Sequence, residues 1–252
     1  MDGSTFGKQT GGWALSQPFF AAFPPIIQTD NGQPKRAADL EQRQSQLLRL
    51  HGWLYHRFPS WQIDIHPHWE TNHVVRRWQG QTAEHLELAY GRSYRELRET
   101  VRNFAFPEVE TQTFWQSALI SLRLDLEHVH VSFNIGERAW LDATNLYNKI
   151  QHSLNCQQSL LNVLTDLFVF GYRLKERLGS VGLGKGAPPA EIFEFLDQFR
   201  SMHGQLYVAR TFPLEDSSLT AERIGLEILT QVRLLYPLYQ FVCWSEDNHY
   251  LW

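Results

Sequence analysis

Leu122-Arg123-Leu124-Asp125-Leu126-Glu127-His128-Val129-His130-Val131-Ser132-Phe133-Asn134-Ile135 alternates apolar and polar residues almost throughout. A period of two is the signature of a half-buried β-strand. Leu122, Leu124 and Leu126 hold one phase, and Val129, Val131, Phe133 and Ile135 hold the other. A single bulge near Glu127-His128 brings all seven onto one face, so the run reads as one long strand. The opposite face then carries Arg123, Asp125, His128, His130, Ser132 and Asn134.

Working outward, residues 39–58 read as a helix. Asp39 is suited to the N-cap, Leu40, Leu47, Leu50 and Leu54 recur at helical spacing, and Pro59 closes the element. Short strands are expected at 61–65, 73–78 and 84–90, with Gln79-Gly80-Gln81 as a turn. Ser93-Tyr94-Arg95-Glu96 is a capping box that opens a helix to about residue 104, and a short helical segment follows at 114–119. After Gly136 the pattern predicts helix to 178, as two helices meeting near Asn155. Beyond a Gly/Pro-rich break, helix is expected at 190–202, strand at 205–211, helix at 221–235 and strand at 239–244.

The expected class is therefore α+β. A mixed sheet flanked by helices has a helix–three strands–helix–strand core, and a mainly helical C-terminal half adds two strands. Four units follow: an N-terminal arm over 1–38, a core over 39–178, a hinge over 179–189 and a C-terminal unit over 190–252. Residues 1–12 carry little to bury and read as disordered. Trp13, Phe19, Phe20, Phe23, Ile26 and Ile27 make 13–27 too apolar to float free. That stretch is expected to dock on this chain, on a protein partner or on a second copy.

The net charge of -4 gives no global attraction to nucleic acid, so a polyanion site must be local. Only five of the 23 basic residues are Lys, and Arg is the better partner for phosphate. Cys156 and Cys243 form no motif, which suits a reduced, cytoplasmic protein. Pro18, Pro24 and Pro25 interrupt the apolar N-terminal stretch, so neither a signal peptide nor a membrane span is read there.

Thr71-Asn72-His73-Val74-Val75, followed after a turn by Glu87-Leu88-Ala89-Tyr90-Gly91, resembles the metal-binding strand pair of the PD-(D/E)xK nucleases. The order of elements over 39–135 is similar too. In that family a divalent metal sits between carboxylates of adjacent strands and activates water. The resemblance places Asn72 at the aspartate position, Glu87 at the glutamate position and Ala89 at the lysine position. It implies Glu87 and Asn72 as metal contacts, with Asp64 and Glu70 beside Glu87 as the catalytic candidates. Mg²⁺ or Mn²⁺ is the implied cofactor only if such a site is active. Asn72 brings no charge and Ala89 no cation, so the leading expectation is a non-catalytic or weakly catalytic accessory protein. It would work with DNA or RNA in an intracellular bacterial-type system.

Other patterns point elsewhere. His66-Pro67-His68 with His73 has spacing compatible with Zn²⁺ or Mn²⁺. His130-Val131-Ser132-Phe133 resembles half of the paired motif of the 2H phosphoesterases, and no second half is present. Gly179-Ser180-Val181-Gly182-Leu183-Gly184-Lys185-Gly186 falls short of a phosphate-binding loop, because Gly186 replaces the hydroxyl residue and no strand precedes it. Arg76, Arg77, Arg92 and Arg95, with Trp78, Tyr90 and Tyr94 among them, form a candidate nucleic-acid surface. Two further functions stay open: a protein–protein scaffold using 13–27, and a metal-dependent phosphodiesterase using Asp64, Glu70, Glu87 and His130.

Overall fold

The structure is a computed structural model that describes residues 34–68, 85–103, 117–125, 128–202, 205–214, 216, 219 and 223–250. Helix α1 (Pro34–Arg57) starts ahead of the expected Asp39 cap, with proline in the first position, where a missing N–H costs nothing. Leu47, Leu50 and Leu54 are buried along one side, as their spacing required. The elements that follow are β1 (His66–Pro67), β2 (Leu86–Gly91), α2 (Tyr94–Asn103), β3 (Leu119–Leu124) and β4 (His128–Ile135). Then come α3 (Trp140–His152), α4 (Leu154–Val169), β5 (Arg173–Lys175), α5 (Pro189–Met202), β6 (Leu206–Pro213) and α6 (Ile224–Val242). The capping box forms as read: the Ser93 N–H donates to the Glu96 carboxylate at 2.6 Å, and Ser93 Oγ accepts from the Glu96 N–H at 3.2 Å.

The fold is α+β. The six strands make one sheet in the order β1-β2-β3-β4-β6-β5, antiparallel at every pairing rather than mixed. The alternating run at its centre is a hairpin and not one bulged strand. The chain reverses between Leu124 and His128, pairing Leu124 with Val129 and Arg123 with His130. Antiparallel pairing satisfies the backbone groups of both halves, which a lone strand cannot do. The phase change in the sequence is the reversal itself, because residues directly opposite share a face. The two faces therefore survive the correction. Leu122, Leu124, Val129, Val131, Phe133 and Ile135 are buried in the main core. Helix α6 crosses β3 and β4 on that side, with α1, α3 and α4 packed against it.

Other expectations change for local reasons. Residues 61–65 begin in a 3-10 turn (Pro59–Trp61) and lead into the two-residue β1. The strand expected at 73–78 and the arm at 13–27 lie outside the described residues, and the 114–119 segment ends as the start of β3. Helices α3 and α4 meet at Ser153, whose side chain accepts from the Cys156 N–H. The strand expected at 239–244 is instead the end of α6. Pro237 sits inside that helix, which holds because Leu235, Leu238, Tyr239 and Val242 are all buried. Within the stretch 179–189, Leu183 forms an isolated bridge to Leu174 of β5. Leu183 and Leu174 exchange both backbone hydrogen bonds, at 2.8 and 3.0 Å. A Cβ on Gly182 would lie 2.2 Å from the Leu174 carbonyl oxygen, so only glycine fits there. Strand β6, from the unit expected to be separate, lies between β4 and β5. Among the described residues, no helix is long and apolar enough to cross a membrane.

A buried polar stripe on α3 holds the chain that follows α6. Asp142, Asn145 and Lys149 occupy one helical face and are almost wholly buried. Asp142 accepts from both terminal nitrogens of Arg92 (2.5 and 3.2 Å), the Ala118 N–H (2.7 Å) and the Trp244 N–H (2.8 Å). Asn145 bonds the Val242 carbonyl and the Tyr250 N–H. Lys149 donates to the Phe241 carbonyl and to Asn248. Burial works against the Arg92 charge, but the adjacent Asp142 carboxylate more than offsets this and raises its pKa. Burial pushes the Lys149 ammonium down to about 8.

Two outcomes follow. Asp142→Ala strands the Arg92 charge and should cost about 3–5 kcal/mol, read from urea unfolding. For Lys149 the unfolded chain binds the proton more tightly between pH about 8 and the ordinary lysine value near 10.5, so stability from this group rises with pH across that window. Wild type should therefore gain stability relative to Lys149→Met on going from pH 8 to pH 10, and a gap that widens in the other direction would contradict this.

Candidate metal centre

Of the residues expected to form a nuclease-like site, the structure describes Asp64, Glu87, Ala89, Arg92 and Arg95. Glu70, Asn72, Arg76 and Arg77 lie outside the described residues, as does His73. Asp64 is 83% exposed, 3.4 Å from His66, and its N–H donates to the Tyr236 hydroxyl. It precedes the His66–Gly91 pair, whereas Glu87 lies at the other end of β2. Six residues of extended chain separate the two carboxylates, about 20 Å, so they do not share a metal. Glu87 is half-buried, 3.9 Å from His85, and pairs in register with Arg123. Ala89 is buried against Leu97 of α2 and Leu119, so the lysine position is filled by packing.

The basic surface changes as well. Arg92 belongs to the Asp142 network and not to a surface. Arg95 is exposed and paired with Glu99 at 2.9 Å. His66 and His68 also part company. His66 faces Asp64, whereas His68 is buried edge-on against Tyr94, with burial pulling its pKa to about 4.

The hairpin builds a different cluster. Asp125 closes the reversal: its N–H donates to the His128 carbonyl at 3.1 Å, and its Oδ1 accepts the His128 N–H at 2.7 Å. Arg43 of α1 donates to the Asp125 carbonyl at 3.3 Å. His128 and His130 are two apart on β4, so both rings stand on the polar face. His130 Nε2 lies 2.8 Å from Asp125 Oδ2, and His128 Nδ1 lies 3.7 Å from Oδ1. One ligand atom from each of the three falls within 4.8 Å of the others.

Two histidines and one carboxylate are the donor set of zinc, iron and manganese sites that keep open positions for water or substrate. His130 is 6% exposed while His128 and Asp125 are 39% and 30%, so the cluster is anchored on one side and open on the other. Thr211 of β6 sits behind His130, its Oγ1 3.0 Å from Nδ1. A hydroxyl donates or accepts as needed. With a metal on Nε2, Nδ1–H would donate to the Thr211 hydroxyl and keep the ring aimed. Such support behind a ligating histidine is the usual outer shell of a metal site.

The signal for this cluster was Asp125-x-x-His128-x-His130. On a single bulged strand, five residues separate Asp125 from His130 by roughly 16 Å, which hides it. Only the reversal brings the two side chains into contact. No protein-family model matches the chain, and no curated protein is significantly similar to it.

Replacing Thr211 by Val removes the hydroxyl behind His130 and keeps the shape. Affinity for Zn²⁺, measured by competition with a chromogenic chelator, should fall about 10–100-fold. Unchanged affinity would show that Thr211 does not orient the ring.

Proposed function

We propose that the protein is a metal-dependent phosphodiesterase or nuclease whose metal is held by Asp125, His128 and His130. One observation supports this above the rest: three ligand atoms converge at a hairpin end that is open to solvent, with the most buried imidazole held from behind. A divalent ion there would lower the pKa of a bound water and polarise a phosphoryl oxygen. Of the residues first expected to do the chemistry, His130 keeps a place at the site. Glu87 is on the same face but two strands away, about 10 Å between backbones, so it is not a ligand to the same ion.

A second reading keeps the nuclease-like scaffold without its activity, as an accessory protein associated with nucleic acid. It is favoured by the packing of Ala89 and by Arg95 and Arg98, both exposed on α2.

One experiment separates the two. Metal-stripped protein is reloaded with Mn²⁺, Co²⁺ or Zn²⁺ and offered bis(4-nitrophenyl) phosphate, DNA and RNA. The enzyme reading expects turnover that His130→Ala reduces at least about 100-fold through loss of the metal-bound water. Absence of turnover with every metal overturns it, and salt-dependent DNA binding in the same samples would favour the accessory reading.

A further inference from the structure

Arg123 lies on β3 between Glu87 of β2 and His130 of β4, directly opposite each in the register. Residues directly opposite share a face, with Cβ atoms about 5 Å apart, so Arg123 adjoins the metal cluster. Asp125 is two residues along the same chain. The row across the sheet reads Glu87, Arg123, His130, Thr211.

Arg123 differs from the other charged groups near it. His130 has Asp125 and Thr211, and Glu87 has His85. Among the described residues, no hydrogen bond or ion pair holds the Arg123 guanidinium, and its Nε is buried without an acceptor. No salt bridge joins it to Glu87, although the two strands place them opposite each other. A half-buried guanidinium with a buried, unanswered donor is unfavourable unless something else supplies oxygens. Its planar fork matches two oxygens of a phosphoryl group. The arrangement is a cation next to a cation-binding cluster, both on one face of the sheet.

We infer that Arg123 grips a phosphoryl oxyanion of the substrate while a metal held by Asp125, His128 and His130 takes another oxygen of the same group. This rests on the metal reading proposed above and adds the substrate's anionic group and the residue that selects it. Arg123 then serves as the specificity and charge-stabilising residue, and Thr211 remains a positioning residue behind His130.

The test uses the whole chain loaded with Co²⁺, with inorganic phosphate as the probe. Cobalt absorption reports the metal, and calorimetry reports phosphate. The expected result is that phosphate perturbs the cobalt spectrum of wild type. Arg123→Gln should keep cobalt affinity while weakening phosphate at least tenfold, and Arg123→Lys should fall between the two. If Arg123→Gln binds phosphate within twofold of wild type, or cobalt-loaded wild type binds none, the inference about Arg123 is overturned and the metal reading stands. If wild type binds no cobalt, the metal reading fails and this inference fails with it. Should Arg123→Gln not fold, ¹⁵N-arginine spectra of wild type, assigned with Arg123→Lys, decide the matter. Phosphate should shift the Arg123 Nε–H signal, and an unmoved signal overturns the inference.

Discussion

The buried carboxylate of Asp142 is the constraint on which most of the structure turns. It receives four hydrogen bonds, from the Arg92 side chain, the Ala118 backbone and the Trp244 backbone. Those donors come from the end of β2, the start of β3 and the segment after α6. An isolated charge in that position would be prohibitively costly. Its complete satisfaction converts a liability into a joint that fixes where two strands and the chain's last turn sit relative to α3. Arg92 adds a bond to the Trp244 carbonyl at 2.7 Å, so the same pair clamps both sides of that segment. Asn145 and Lys149 extend the clamp along the helix.

The sheet held in this way has two unlike faces. One is the apolar core beneath α6. The other carries small and polar residues: Ser121 and Ser132 meet at 3.0 Å, and Asn134 donates to Ser121 at 3.2 Å. The candidate metal cluster is the continuation of that polar face at the reversal, where side chains reach solvent. Strand β6 contributes Thr211 because it pairs with β4 along its whole length. A site assembled on paired strands is held more firmly than one on a loop.

Local chemistry made much of this legible in advance. The Ser93–Glu96 box needs only a four-residue turn, and it forms. The α1 stripe of Leu47, Leu50 and Leu54 needs only the helical period, and those residues are buried. Misreadings arose where the deciding partner was distant in sequence. The helix expected at 221–235 runs on through Pro237 to Val242, because the burial that keeps α6 continuous comes from elsewhere in the chain. Three-residue β5 carries too little pattern to be seen, and it exists because β6 accepts it as a neighbour. The stripe of Asp142, Asn145 and Lys149 is polar, and nothing in the local pattern records its burial. It is buried because backbone groups of the C-terminal segment need partners.

The amino-acid sequence by itself determined the α+β class, the positions of most helices and the division of residues 122–135 into an apolar and a polar face. Each of these follows from a period of two or of about 3.6, which is a property of neighbouring residues. Only the tertiary structure decided that the run folds back as a hairpin, that Arg92 is a core residue, and that Asp125 meets His128 and His130 beside Arg123. Alternation records which face a side chain takes and is blind to chain direction. Strand reversal and cross-strand contact are set by pairing between segments, and that is where the candidate chemistry of this protein resides.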